Sequence, residues 1–492
     1  MKCVRPQNTL GSSTVNCSEC CALTEHEFLG CPVDPIDTQG RLIVVSNRIR
    51  RDASPGNNSG GLAVAVNAAL KLRGGIWMGW SGNTDAEATS TKMTREGNVT
   101  YVEVDLTTAD VRDYYNGFSN QTLWPLFHSF KDRAVLSEDY EVAYRRVNAT
   151  FAEILFPLGR PDDAVWVHDY HLIPLAEELR KLGSIGRVGF FLHVPWPKFE
   201  VLHDVPVHKL LLKAMSSYDV IGFQTRNDLT NFYEAVNCCN EGGKLENDVV
   251  LLFGRRIKLG AYAVSIETLN FAKSAAAAAK QPSMRQMVES LQGQTLIISV
   301  DRLDYTKGIL ERVRAYETFL KGNPSYLRKV TYLQIAPISR SDVLEYQQLQ
   351  AAVAEAVGKA NGAIGTADWT PLRYINSGSS RDELGALFRL ARVGFVTPIR
   401  DGMNLVAKEY IAAQDAANPG VLIISGFAGA AQELSAGIIV DPRNIQSMAQ
   451  AIADALEMPL TERKDRWRNM MTWLLEHDIN YWTNTYLDDL FS

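Results

Sequence analysis

The stretch Val393-Gly394-Phe395-Val396-Thr397-Pro398-Ile399-Arg400-Asp401-Gly402-Met403-Asn404-Leu405-Val406-Ala407-Lys408-Glu409-Tyr410 reads as an apolar strand, a tight polar turn and the start of a helix. Val393 to Thr397 is the short β-branched and apolar run that fills a parallel strand covered on both faces, and Pro398 ends it by removing a ladder donor. Asp401-Gly402 supplies the bend and Asn404 stands at the N-cap position. The helix is predicted over Leu405 to Ala417, where Asn418-Pro419-Gly420 stops it. A helix start aimed out of the carboxyl end of a parallel strand presents backbone N–H groups and a partial positive charge, which suits a phosphate. Asp401 and Glu409 are then placed to accept hydrogen bonds from sugar hydroxyls.

The same grammar repeats outward from this stretch. Thr295 to Val300 is a strand followed by Asp301-Arg302-Leu303-Asp304-Tyr305-Thr306-Lys307-Gly308, with a helix beginning at Ile309. Arg302 and Lys307 are five residues apart across that turn, so the spacing predicts two cations converging on one diphosphate. Val330 to Ile335 leads into Ala336-Pro337-Ile338-Ser339-Arg340, and Val421 to Ser425 gives a further strand. Toward the front, Arg41 to Ser46 runs into Asn47-Arg48. A turn at Asn57-Asn58-Ser59-Gly60-Gly61 follows, whose glycines permit close approach of backbone to a ligand.

Ala164 to Val167 ends in His168-Asp169-Tyr170-His171, and Arg187 to Leu192 in His193-Val194-Pro195-Trp196-Pro197. Asp219 to Phe223 ends in Gln224-Thr225, and Ile257 to Val264 closes the first series. Polar groups at the carboxyl ends of parallel strands mark the ligand side of an open α/β sheet. His168, Asp169, His171 and His193 also have the chemistry of metal ligands. Aromatic residues crowd the span from Trp77 to Trp124, and most aromatics are core.

With 492 residues the chain is too long for one ordinary core, and two α/β domains are expected. The net charge of −6, without any block of more than three lysines or arginines, argues against nucleic acid and anionic membrane as partners. No apolar run approaches the roughly 18 residues of a membrane span. Five of seven cysteines (Cys3, Cys17, Cys20, Cys21 and Cys31) lie in a polar front segment whose spacing fits no standard zinc pattern. That segment reads as a disordered tail, or as an assigned start upstream of the true one. The body holds only Cys238 and Cys239, which points to a reducing cytoplasm.

The quoted stretch resembles the signature of the trehalose-phosphate synthase family of glycosyltransferases, close to T-P-[LI]-R-D-G-M-N-L-V-A-K-E. Also similar to family motifs are Ser46-Asn47-Arg48, Gly60-Gly61-Leu62, the segment from Tyr114 to Pro125, His168-Asp169-Tyr170-His171, Arg302 to Gly308, and Gly426 to Leu434. The resemblance covers about residues 41 to 490. It implies two Rossmann-like domains facing across a cleft, the GT-B arrangement. The expected division is a tail over 1–40, an acceptor domain over 41–265, a nucleotide-sugar donor domain over 266–466, and a helical segment over 467–492 that packs back across the junction. Residues 265 to 281, with an alanine run at Ala275 to Ala279, are expected to form a semi-rigid helical connector.

As activity the resemblance implies transfer of glucose from a nucleotide-glucose, UDP-glucose first among the choices, to glucose 6-phosphate with retention, forming α,α-trehalose 6-phosphate. It assigns Arg48, Tyr115, Trp124, Asp169 and Arg340 to the acceptor. To the donor it assigns Gly61, His193, Arg302, Lys307, Asp401, Glu409 and the turn Gly402, Met403, Asn404, Leu405 and Val406. Asp169, His193, Arg302, Lys307 and Asp401 make up the expected catalytic set, with no metal and no cofactor. A related enzyme with another phosphorylated acceptor, such as glycerol 3-phosphate, and a catalytically silent sugar-phosphate sensor are the alternatives; a homo-oligomer is left open. One departure stands out. Ala263-Val264-Ser265-Ile266-Glu267 occupies the place of the family's Pro-x-Gly-Ile-Asp/Glu pattern, at the expected hinge.

Overall fold

Apolar runs of four to seven residues alternate with amphipathic segments along the chain, and the computed structural model gathers them into two sheets. It describes residues 40–49, 66–67, 69–70, 74–85, 89–183, 186–239, 242–243, 245–340 and 342–492. The cysteine-rich front segment and Gly61 lie outside the described residues.

The first sheet contains β1 (Leu42–Arg48), β2 (Gly75–Asp85), β3 (Ser90–Glu96), β4 (Val99–Thr107), β5 (Ala164–His168), β6 (Arg187–Phe191), β7 (Val220–Phe223), β8 (Val249–Leu252) and β9 (Arg255–Ala261). Their order is β3-β4-β2-β1-β5-β6-β7-β9-β8, parallel except for the edge strands β3 and β8. The second sheet is wholly parallel. It consists of β10 (Thr295–Val300), β11 (Val330–Ile335), β12 (Leu372–Ile375), β13 (Val393–Val396), β14 (Val421–Ser425) and β15 (Ile438–Val440), in the order β12-β11-β10-β13-β14-β15. The expected α/β class with two parallel-sheet domains is what the chain forms.

Register aligns the functional edge. Ser46 pairs with His168 and His168 with Phe191, so the carboxyl ends of β1, β5 and β6 lie side by side, with Arg48 at the end of β1 and Asp169 and His193 just beyond β5 and β6. In the second sheet Val300 pairs with Ile335 and Val396 with Ile424, which sets the Arg302 turn beside the Arg340 and Asp401 turns.

Several elements differ from their expected bounds. The helix α3 (Leu405–Ala413) stops four residues before Ala417. Gln414 turns inward there: its Oε1 accepts from Gly420 N–H at 2.8 Å and its Nε2 donates to Phe388 O at 2.6 Å. The connector does form a helix, α1 (Thr268–Ala278), yet it does not stand free. Phe271, Ala275 and Ala278 are buried, and a Cβ at Gly385 would lie 3.0 Å from that of Ala275, so two helices meet at their smallest residues. The expected C-terminal helical segment consists of two helices, α4 (Leu460–Glu476) and α5 (Ile479–Phe491), separated where Asp478 caps the second through Asn480 and Tyr481 N–H.

α5 lies on the first sheet. Tyr486 stacks on Trp166 at 4.7 Å and donates to Phe190 O at 3.1 Å, while Trp482 packs against Trp166 at 5.0 Å. α4 is held to the other sheet's helices, with Trp467 Nε1 donating to Ile411 O at 3.0 Å. Buried aromatics of this size remove about 150–250 Å² each from water, so this terminal pair of helices is a substantial part of what holds the sheets together.

Under the carboxyl edge of the second sheet runs a buried ion pair. Arg312, on α2 (Ile309–Gly322), is fully buried; its Nη2 lies 2.5 Å from Asp301 Oδ2 and its Nη1 donates to Lys307 O at 2.9 Å. The pair pins the turn that carries Lys307. Replacing Arg312 with Met strands the Asp301 carboxylate in the interior, a loss of about 3–5 kcal/mol. We expect a correspondingly lower urea midpoint; an unchanged midpoint would show that the turn does not depend on this pair.

Candidate functional site

Two turns of the second sheet lock together. Ile399 N–H donates to Thr306 O at 2.8 Å, and Lys307 Nζ lies 2.5 Å from Asp401 Oδ2, which also accepts from Asn404 Nδ2 at 3.0 Å. Gly308 at the end of the first turn has φ +67° and sits so close to Thr397 O that a Cβ would be 2.4 Å from it. Asn404 occupies the N-cap position of α3 with φ 78°, but its side chain makes no capping bond. The amide is spent on Asp401 instead, and Asn404 Oδ1 is buried without a partner. The first amides of α3 therefore lack a side-chain cap and open beside a lysine and an asparagine, the electrostatics of an anion site. Met403 is buried, Leu405 and Val406 are half-buried, and Glu409 follows one turn on. Burial pushes the Glu409 carboxyl up to about 7, against the pull of Arg381 at 4.0 Å.

On the first sheet Asp169 adopts φ 73°, a left-handed geometry rare for a non-glycine residue and frequent at functional sites. Its Oδ1 accepts from His193 N–H at 3.2 Å. Burial raises its carboxyl to about 6, opposed by the charges of Arg302 and Arg340. Burial also drives the His193 imidazole down to about 3, so it is neutral at physiological pH. Its Nε2 lies 3.0 Å from His168 Nδ1, the two rings bonding to each other. Among the described residues no group of three or more His, Cys, Asp or Glu side chains is arranged to hold a metal ion.

Arg48 extends from β1 with its guanidinium 5.4 Å from the Trp80 ring. Gly82 makes room for it: a Cβ there would lie 2.2 Å from Arg48 Nη2. Tyr115 meets Trp80 edge-on at 5.4 Å and stacks on His171 at 5.9 Å. The segment carrying Tyr115 is a wide helix over Val111–Leu123, and Trp124 N–H reaches back to Ser119 O, five residues earlier. Wide turns of this kind recur at functional sites. The Trp124 indole N–H is buried with no partner among the described residues.

The sheets meet through Arg340 and Gly402. Arg340, from beyond β11, lies 4.0 Å from the Trp124 ring, and its Nη2 donates to Tyr170 Oη at 3.3 Å; both partners belong to the first sheet's side. Its Nη1 bonds Tyr346 Oη and Asp304 Oδ2, the latter at 3.3 Å. Gly402 faces the other way, so that a Cβ would stand 2.3 Å from His193 O.

Asp169, His193, Trp124, Arg302, Arg340, Lys307, Asp401 and Asn404 are thus linked by contacts or by mutual electrostatics, and Arg48 and Tyr115 join them through Trp80 and His171. Arg302 and Lys307, expected from their spacing to meet one diphosphate, have different protein partners. Lys307 is folded back onto Asp401 by the Thr306–Ile399 bond, whereas Arg302 is exposed with its guanidinium 5.5 Å from the Trp124 ring. Sequence reading gave no role to Gly82, Tyr170 and Asp304, nor to Gln224, whose Nε2 meets His193 Nδ1 at 3.4 Å, or Lys408, whose Nζ donates to Val264 O at 2.8 Å. Gln224, directly after β7, and Tyr170, two residues past the end of β5, carry a usable signal; the others are found only through their long-range partners.

Residues 40–492 match the profile of glycosyltransferase family 20. A trehalose-6-phosphate synthase of Sinorhizobium fredii is 49% identical over 454 residues, covering 92% of this chain and 98% of its own. A trehalose-6-phosphate synthase of Escherichia coli is 43% identical over 450 residues, covering 92% and 95%. Among solved structures, a UDP-forming α,α-trehalose-phosphate synthase of Burkholderia xenovorans in complex with glucose 6-phosphate superposes with a TM-score of 0.89 at 45% identity, covering 92% of this chain and 100% of that one. An Escherichia coli structure bound with UDP-2-fluoro glucose gives a TM-score of 0.88 at 43% identity, covering 92% and 99%. A profile spanning all but the front segment, and relatives this similar over nearly their whole length, lead to one conclusion: the chain belongs to glycosyltransferase family 20.

Proposed function

We propose that this glycosyltransferase moves glucose from UDP-glucose to glucose 6-phosphate with retention, producing α,α-trehalose 6-phosphate, and that the residues described above divide between the two substrates. The carrying observation is Arg340, a buried cation of one sheet held against Trp124 and Tyr170 of the other. A phosphate bound there would be charge-paired by Arg340 and Arg48 and would bridge the sheets. The complexes of relatives with glucose 6-phosphate and with UDP-2-fluoro glucose support this pairing of substrates. In this reading residues 41–265 form the acceptor domain and 266–466 the donor domain, with 467–492 returning to the first sheet. The site belongs in the cytoplasm, in keeping with a body whose two cysteines, Cys238 and Cys239, are free. No helix among the described residues is long and apolar enough to cross a membrane.

Tyr115, Trp124 and Asp169 orient the acceptor sugar, Trp124 through its unpartnered indole N–H. On the donor side Lys307 exchanges Asp401 for the diphosphate. Arg302 and the amides from Gly402 to Val406 add positive potential, and Glu409 receives the ribose hydroxyls. Asp401, released, holds the glucose, and the face of the His193 ring, whose two nitrogens are engaged within the protein, packs against it; Gly61 is assigned to the donor by the resemblance.

None of these carboxylates is assigned as a covalent nucleophile, and Asp401, once Lys307 turns to the diphosphate, is given to the glucose hydroxyls. The chemistry that fits is a front-face displacement. The bond from the anomeric carbon to the diphosphate oxygen breaks, the acceptor's anomeric hydroxyl bonds to that carbon on the same face, and its proton passes to the departing phosphate oxygen. Preorganised cations stabilise the charge that develops on that oxygen.

Two outcomes are expected. With UDP-[1-¹³C]glucose and glucose 6-phosphate, ¹³C NMR should show a single non-reducing, α-linked phosphorylated disaccharide. Arg48→Ala should then lower kcat/KM for glucose 6-phosphate by about tens of fold, the range for losing a hydrogen bond to a charged group (about 1.5–3 kcal/mol), with calorimetric UDP affinity nearly unchanged. A β-linked product, or equal loss of UDP affinity, would contradict the assignment. The second outcome concerns pH. Ribose hydroxyls donate to a carboxylate, so binding requires Glu409 to lose its proton; UDP-glucose affinity should weaken as pH falls through about 7, and Glu409→Gln should abolish that step.

A further inference from the structure

Both ring nitrogens of His193 are engaged. Nε2 faces His168 Nδ1 at 3.0 Å, and Nδ1 faces Gln224 Nε2 at 3.4 Å. Gln224 is 2% exposed, and its amide has one orientation that satisfies its neighbours. The other end of the amide meets the backbone N–H of Val264 at 3.1 Å, a group that can only donate, so Oε1 lies there and the NH₂ is turned to the histidine. A neutral imidazole has a single N–H. His193 therefore accepts at Nδ1 and carries its proton on Nε2, which it donates to His168 Nδ1; the His168 proton is left on its own Nε2. One backbone N–H thus sets the direction of three successive hydrogen bonds.

Val264 lies in the segment that passes from the first sheet to the second, and the second sheet grips it as well. Lys408 Nζ, fully buried, donates to Val264 O at 2.8 Å and pairs with Glu433 at 2.6 Å. Lys408 stands on α3, next to Glu409 and one turn from Asn404. A polar path therefore runs from the helix of the Asp401 turn, through Lys408, Val264 and Gln224, to the ring of His193.

We propose that Gln224 is a positioning residue for glucosyl transfer: it fixes the tautomer of His193 and ties that ring, through Val264 and Lys408, to the helix that carries the donor turn. The proposal rests on the reading of His193 as a donor-facing residue. It has a chemical consequence. A ring with one nitrogen donating and the other accepting has no lone pair left for a proton, so His193 is not the base that receives the acceptor's proton; that proton goes to the phosphate oxygen.

The test is a long-range ¹H–¹⁵N spectrum of the full chain labelled in its eight histidines, with His193 identified by the His193→Asn variant. In the wild type Nε2 should be the protonated nitrogen. In Gln224→Glu the carboxylate accepts from both Val264 and His193, so the proton should move to Nδ1, with kcat lowered about tenfold or more and donor KM within about threefold. Gln224→Met, which can neither donate nor accept strongly, should give mixed tautomers. A wild-type His193 protonated at Nδ1 overturns the proposal even if no variant folds. A tautomer that reverses in Gln224→Glu while turnover stays at the wild-type rate overturns the positioning role. Failure of the wild type to transfer glucose at all would instead count against the functional reading, leaving the hydrogen-bond network intact.

Discussion

The carboxyl edges of the two sheets meet at backbone distance, and the site depends on that contact. Gly402 stands where a single methyl group would be 2.3 Å from His193 O, and Gly429 packs behind it with its Cβ position 2.0 Å from Gly402 O. Three layers of main chain are stacked with no room for side chains. Such closeness brings the Asp401 turn against the end of β6, so groups separated by more than 200 residues in sequence share one cleft.

Burying so many polar groups is tolerable only when each finds a partner. Lys307 has Asp401, Arg312 has Asp301, Arg340 has Asp304 and Tyr346, and Lys408 has Glu433 and Val264 O. Among the exceptions, Trp124 Nε1, His171 Nδ1 and Asn404 Oδ1 lie where substrates are proposed to bind, whereas others, such as Arg255 Nε, Trp369 Nε1 and Tyr374 Oη, lie elsewhere. The three at the site are free to form hydrogen bonds with a ligand. The terminal helix α5 completes the frame by laying Trp482 and Tyr486 over Trp166, beneath the His168–His193 pair.

Local patterns were legible in the sequence and distant pairings were not. β10, β11 and β14 lie where their apolar runs predict, because a strand covered on both faces needs an uninterrupted apolar run. The turn residues at the strand ends were legible for the same reason. The end of α3 was not, since it is set by the hydrogen bond that Gly420 N–H donates to Gln414 Oε1 rather than by helix propensity. Asn404 sits at the cap position but serves Asp401, a choice that only the fold of the turn decides. Spacing gave Arg302 and Lys307 as one cluster, whereas tertiary contacts send them to different partners. Arg340 was legible as a residue and not as a bridge, because Trp124 and Tyr170 lie far from it in sequence.

The claim that the reaction centre is made by backbone apposition is tested most directly by Gly402→Ala. A methyl group there must push the Asp401 turn away from His193, and a misplacement of about 1 Å can cost on the order of a hundredfold in rate. Turnover of UDP-glucose and glucose 6-phosphate by this variant should fall by about that factor, with its melting temperature near that of the wild type. Wild-type turnover by Gly402→Ala would contradict the account.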